Sequence, residues 1–216
     1  MNPDPHPTNP LLEEWNTPFG IAPFNLIKPE HFRPAVEKAV EEARREIESI
    51  TGNDAEPDFK NTIEVLERSG SLLSHITPVL FNLNSADTSP AIQAAAQEVS
   101  PLLTSFANDI TLDPELYERV KSVYEKKDSL ELDAEQQILL DRKFRAFIRG
   151  GAALSDEDKE KFREITIEMS MLSLKFEENV LAETNDFTLL LTTEEELAGL
   201  PDGVREAAAT LAREKG

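Results

Sequence analysis

The sequence contains no cysteine among its 216 residues. That absence excludes disulfides, thiolate metal sites and cysteine nucleophiles. No apolar run approaches the length of a membrane span. The first residues, "MNPDPHPTNPLLEEW", have neither the basic n-region nor the apolar h-region of a secretory signal. A soluble, intracellular chain is expected, with a cytoplasmic location. Basic residues are scarce: 22 Lys and Arg against 42 Asp and Glu give a net charge of −20. Phosphates would be repelled by that charge, so neither nucleic acid nor an anionic membrane is an expected partner. The acids themselves are read as solvated helix faces. Aromatics amount to only 6%, so the core is expected to be built from Leu, Ile, Ala and Val. Glycine is absent between Gly70 and Gly150, which predicts uninterrupted helices, whereas eight of the fourteen prolines lie before residue 35.

Catalytic motifs are missing as well. The stretch "IKPEHFRPAVEKAVEEA", residues 27–43, places His31 beside Glu30 and ahead of a glutamate-rich helix, the ingredients of a zinc site. Helical geometry removes that reading. His31 shares a face with Ala35, Lys38 and Glu42, and Glu42 lies roughly 16 Å along the axis at 1.5 Å per residue, while Glu37 and Glu41 point elsewhere. A zinc-binding helix needs two ligands one turn apart, as in H-E-x-x-H, and that motif occurs nowhere in the chain. Packing or hydrogen bonding at a helix start is the expected role of His31. His75 has no acidic neighbour at i±3 or i±4 and is read as a half-buried, satisfied imidazole; His6 lies in the proline-rich arm. No glycine-flanked nucleophile turn or phosphate loop is present. No catalytic, cofactor-binding or metal-ligating residue is assigned in this chain.

What is present is helical periodicity. Residues 1–28 read as an extended arm pinned by Leu11, Leu12, Trp15, Phe19, Phe24 and Ile27. From Pro34 to about residue 51, Ala35, Val36, Ala39, Val40, Ala43, Ile47 and Ile50 follow i, i+3, i+4 spacing. A long helix bent at Pro78 is predicted from about Asp58 to Asn84. Ser89-Pro90 and Asp113-Pro114 open helices to about Ile110 and Lys127. Asp133 with Gln136 forms a capping box for a helix to about Arg149. Ser155 with Asp158 caps the longest helix, about 156–184. Its stripe Phe162, Ile165, Met169, Leu172, Phe176 and Val180, with a second stripe of Ile167, Met171, Leu174 and Leu181, marks it as the central helix of a bundle. "DFTLLLT", 186–192, reads as one short strand without an evident partner, and "TEEEL" and "DGVREAAATLAREKG" as two short helices. The fold class is therefore all-α: a multi-helix bundle with an extended Pro-rich N-terminal arm and one short strand near 186–192.

The wording of the sequence adds a resemblance. "NPLLEEWNTPFGIAPFNLIKPEHFRPAVEKAV" resembles the opening of the oligopeptidase A and peptidyl-dipeptidase group of thimet-oligopeptidase-like zinc metallopeptidases. The likeness continues in order through "FKNTIEVLERSGSLL", "FNLNSADTSP", "QEVSPLLTSFANDI", "RAFIRGGAALSDEDKEK" and "NVLAETNDFTLLLTTEEELAGLP". It implies the N-terminal helical region of such an enzyme, one wall of a channel that admits short peptides. Catalysis in that group comes from a later helical domain whose H-E-x-x-H helix and a downstream glutamate hold one zinc. The sequence stops at "LAREKG" before any such ligand, so no metal or catalytic residue carries over and the chain alone is expected to be inactive. The implied organisation is a docked arm over 1–28, a helical bundle domain over 29–184, and a strand with short helices over 185–216 leading toward an absent catalytic domain. That zinc-catalytic domain is the expected partner, and short peptides are expected to bind the intact enzyme; the sequence leaves open whether the isolated domain self-associates, to which apolar surface that the catalytic domain would cover is suited. The other class of function is a free-standing acidic helical module that binds peptides or proteins on the same scaffold. A reading frame continuing past codon 216 into H-E-x-x-H separates the two.

Overall fold

The computed structural model describes residues 9–215. Eight α-helices form among them: α1 (Phe32–Thr51), α2 (Val65–Arg68), α3 (Ser71–Ala86), α4 (Pro90–Thr111), α5 (Pro114–Glu125), α6 (Ala134–Arg149), α7 (Asp156–Asp186) and α8 (Asp202–Lys215). A π-helical segment, Phe59–Glu64, runs directly into α2. The chain divides into two compact units, residues 1–177 and 178–216.

The caps are those that the residue types dictate. Ser89 Oγ accepts from the amide of Ile92, and Asp113 from that of Leu116, each with proline in the first helical turn. Asp133 and Gln136 exchange reciprocal bonds at 2.9 and 3.1 Å. Ser155 accepts the Asp158 amide at 3.2 Å and donates its hydroxyl to the Asp158 carboxylate at 2.8 Å.

Two apolar cores fill the first unit. One gathers Phe32, Ala35, Val36 and Ala39 of α1 with Ile76 and Leu80 of α3 and Ala96 and Val99 of α4. The other joins Ile47 and Ile50 at the far end of α1 with Ile63, Leu116, Val120, Val123, Leu140 and Phe147. Ile110 packs against both.

The long helix expected over 58–84 is interrupted at Ser69–Gly70. Gly70 adopts φ +70°, the left-handed region that glycine enters without a Cβ clash. Its amide donates to the Glu46 carboxylate at 2.7 Å. Pro78 stays inside α3 on the exposed side, where water can serve the carbonyl deprived of its donor.

The arm differs from a continuous extended segment. Residues 1–8, with His6, lie outside the described residues; beyond them the chain turns through three 3-10 segments, Pro10–Leu12, Pro18–Gly20 and Pro29–His31. Each holds a proline in its first turn, whose fixed φ suits a tight turn as well as extended chain. Leu11 is buried, and Leu12, Trp15 and Ile27 pack against the first core. Phe19 and Phe24 are not pins: Phe19 is 99% exposed at φ +62°, and Phe24 is exposed as well.

In the second unit the expected strand is absent; no strand occurs among the described residues. Residues 187–192 are irregular, with Phe187, Leu189 and Leu190 exposed. A strand closes its hydrogen bonds only through a neighbour, and none is provided. "TEEEL" forms turns instead of a helix. Glu196 accepts from the amides of Thr192 and Thr193 at 2.8 and 3.0 Å, and these bonds hold its carboxyl below the ordinary glutamate range.

Candidate functional site

The stretch 27–43 assembles no metal site. His31 Nδ1 accepts the amide of Lys28 at 3.1 Å, and its carbonyl accepts from the Asn9 side chain at 2.7 Å. It thus holds the turn that leads into α1 by hydrogen bonding, one of the two roles expected for it at a helix start. Two of its carboxylates go to arginines: Glu37 pairs with Arg33 at 3.0 Å, and Glu41 pairs with Arg45. Arg33 also reaches Glu98 at 3.2 Å, and its pKa is raised above the ordinary value, by Glu37 first and Glu98 second. His75 is exposed rather than half-buried, with its ring tilted against Trp15 at a centroid distance of 4.8 Å. Among the described residues no group of three or more His, Cys, Asp or Glu is placed to hold a metal ion. No helix among them is long and apolar enough to cross a membrane.

The distinctive surface lies along α7. This helix turns a largely polar seam toward its neighbours. Lys159 is buried and donates to the carbonyl of Leu112 at 3.1 Å. Arg163 reaches Asp109 at 2.9 Å, and Asp109 also binds Arg44 of α1. Asn108 Nδ2 donates to Thr166 Oγ1 at 2.9 Å, while the Thr166 hydroxyl has the Phe162 carbonyl as its acceptor at 2.9 Å. Leu174, 5% exposed, continues this side into the first core. The spacing 159, 163, 166, 170, 174 is that of one helical face.

The face with the larger apolar side chains looks outward. Ile165, Met169, Leu172 and Phe176 are between 58% and 68% exposed. Its border with α4 is a groove of about 510 Å³, lined by Leu103, Ala107, Asn108, Phe162, Thr166 and Met169 among others. Helix α7 is therefore not the central helix of a bundle; it buries a side that carries Lys159 and Leu174 together and leaves its first apolar stripe exposed. Sequence periodicity shows two apolar stripes but leaves undecided which one is inward. The usable signal was the run of hydrogen-bonding residues at 159, 163, 166 and 170: the first three find partners on α4 or at the α4–α5 junction, and Ser170 lines the groove.

Comparison with known proteins decides the family. A family model described as "Neurolysin/Thimet oligopeptidase, N-terminal domain" matches residues 36–159. The chain belongs to this family. Dipeptidyl carboxypeptidase of Salmonella typhimurium strain LT2 is 38% identical over 209 residues, covering 97% of this chain and 31% of that protein. The Escherichia coli K12 dipeptidyl carboxypeptidase is 36% identical over 208 residues, with 96% and 30% covered. Oligopeptidase A of the same Salmonella strain is 32% identical over 208 residues, again covering 96% and 30%. The chain thus spans about a third of the length of the curated relatives that it matches.

Proposed function

We propose that this chain is the N-terminal, channel-wall portion of a zinc-dependent oligopeptidase or peptidyl-dipeptidase acting on short peptides, catalytically incomplete by itself. The observation that carries the reading is the coverage: 97% of this chain corresponds to 31% of a dipeptidyl carboxypeptidase. The peptide substrate class comes from the names of the relatives. Among the described residues no donor set that would hold a zinc ion is assembled, and no H-E-x-x-H occurs in the sequence. The metal belongs, in this reading, to polypeptide outside residues 1–216. A cytoplasmic location is part of the same reading. The test is direct. Purified 1–216 is expected to bind no stoichiometric zinc by elemental analysis and to leave short fluorogenic peptides uncut. About one tightly held zinc per chain, together with chelator-sensitive cleavage, would overturn the proposal.

A further inference from the structure

We infer that the outward apolar face of α7 (Ile165, Met169, Leu172 and Phe176) is the seat of the polypeptide that follows this segment in a full-length peptidase. The inference rests on the functional reading above and names the partner surface that the reading requires. Three observations carry it.

The helix is inverted. Its polar seam is satisfied inside the first unit by Asp109, Asn108 and the Leu112 carbonyl, whereas four large apolar side chains, spaced 4, 3 and 4 residues apart, stand in solvent. Contiguous apolar surface of this kind marks a contact face, since isolated exposed residues would not fall on one stripe.

The position of the helix matches the boundary of the family's N-terminal domain. The match to that domain ends at residue 159, three residues after the start of α7 at Asp156. Most of α7, and the whole exposed stripe, lies beyond it. Only 31% of the Salmonella relative is covered, and because the matching family model is of an N-terminal domain, the rest of such a polypeptide is read as following this segment.

Charge argues against the other simple occupant. A second copy of this chain would bring another net −20 against the first, and like charges oppose association.

The absence of cysteine makes the test clean, because a single introduced thiol in this chain reports one place. Leu172→Cys is made in chain 1–216 and in a chimera in which 1–216 replaces the matched third of the Salmonella dipeptidyl carboxypeptidase. Maleimide labelling of the peptide containing position 172 is followed by mass spectrometry, and peptidase activity of the chimera is measured in parallel. Labelling is expected to be rapid in 1–216 and at least tenfold slower in the chimera. An active chimera whose position 172 labels as fast as the isolated chain overturns the docking face and leaves the functional reading standing. An inactive chimera with position 172 protected keeps the docking face and overturns the functional reading. Should the chimera fail to fold, the same thiol is read in 1–216 mixed with the remaining two-thirds of the enzyme, with the same two labelling outcomes. Dimerisation of 1–216 that Leu172→Glu abolishes, seen by sedimentation, would make a second copy the occupant and overturn the inference.

Discussion

Gly150, directly after α6, leaves no room for a side chain. A Cβ there would stand 2.1 Å from Thr111 Cγ2 and 3.0 Å from the Ala146 carbonyl oxygen. The backbone angle is not the constraint, since φ at Gly150 is −79°; close approach is. Gly150→Ala is expected to destabilise the chain by about 1–3 kcal/mol, the usual cost of overpacking. Adding Thr111→Ser deletes the offending methyl and should restore part of that loss, because contacting residues couple. Urea unfolding of both variants checks this; an unchanged midpoint in Gly150→Ala would refute the close contact. At this scale the sequence was legible wherever one residue acts on its own backbone. Ser89, Asp113, Asp133 and Ser155 all cap as their types predict. It was not legible at Phe19, whose apolar side chain suggested an anchor while its turn directs it into solvent.

The bounds of α1, α4, α5, α6 and α7 followed from periodicity and capping residues, but the break at Ser69–Gly70 and the orientation of α7 did not. An amphipathic helix announces its buried side only when the other side is polar. Here the polar run at 159, 163, 166 and 170 marks the seam, but its partners lie on α4 and at the α4–α5 junction, distant in sequence, so the apolar pattern alone does not show which side faces inward. The orientation makes a paired prediction. Leu174→Ala should cost about 2–5 kcal/mol, as expected for a buried leucine. Leu172→Gln, two residues away on the exposed stripe, should stay within about 0.5 kcal/mol of the parent. Thermal or urea denaturation monitored by circular dichroism reads both. Equal losses would show that the outward side is packed after all. The same dependence on distant partners explains the missing strand at 187–192: its residues have strand-like composition, yet pairing belongs to the neighbour and not to the segment.

The all-helical class and the family were both readable from order and wording along the chain, while the existence of two cores was not. Helical periodicity shows that α1 has a buried face, yet it cannot show that the face changes company partway along. In the structure, Phe32 to Ala43 belong to one core, and Ile47 and Ile50 to the other. Neither core can come apart without stripping one end of the same helix. The first unit should consequently melt as one transition, with intermediates suppressed by the shared helix. Amide exchange gives the check: the central amides of α1, Ala39–Ile47, should be the slowest of the first unit, because only complete unfolding frees both ends at once. Faster exchange there than in α5 or α6 would mean that the cores open independently. A single helix common to two cores thus acts as a mechanical axle, and a disturbance at either end of the domain is felt at the other.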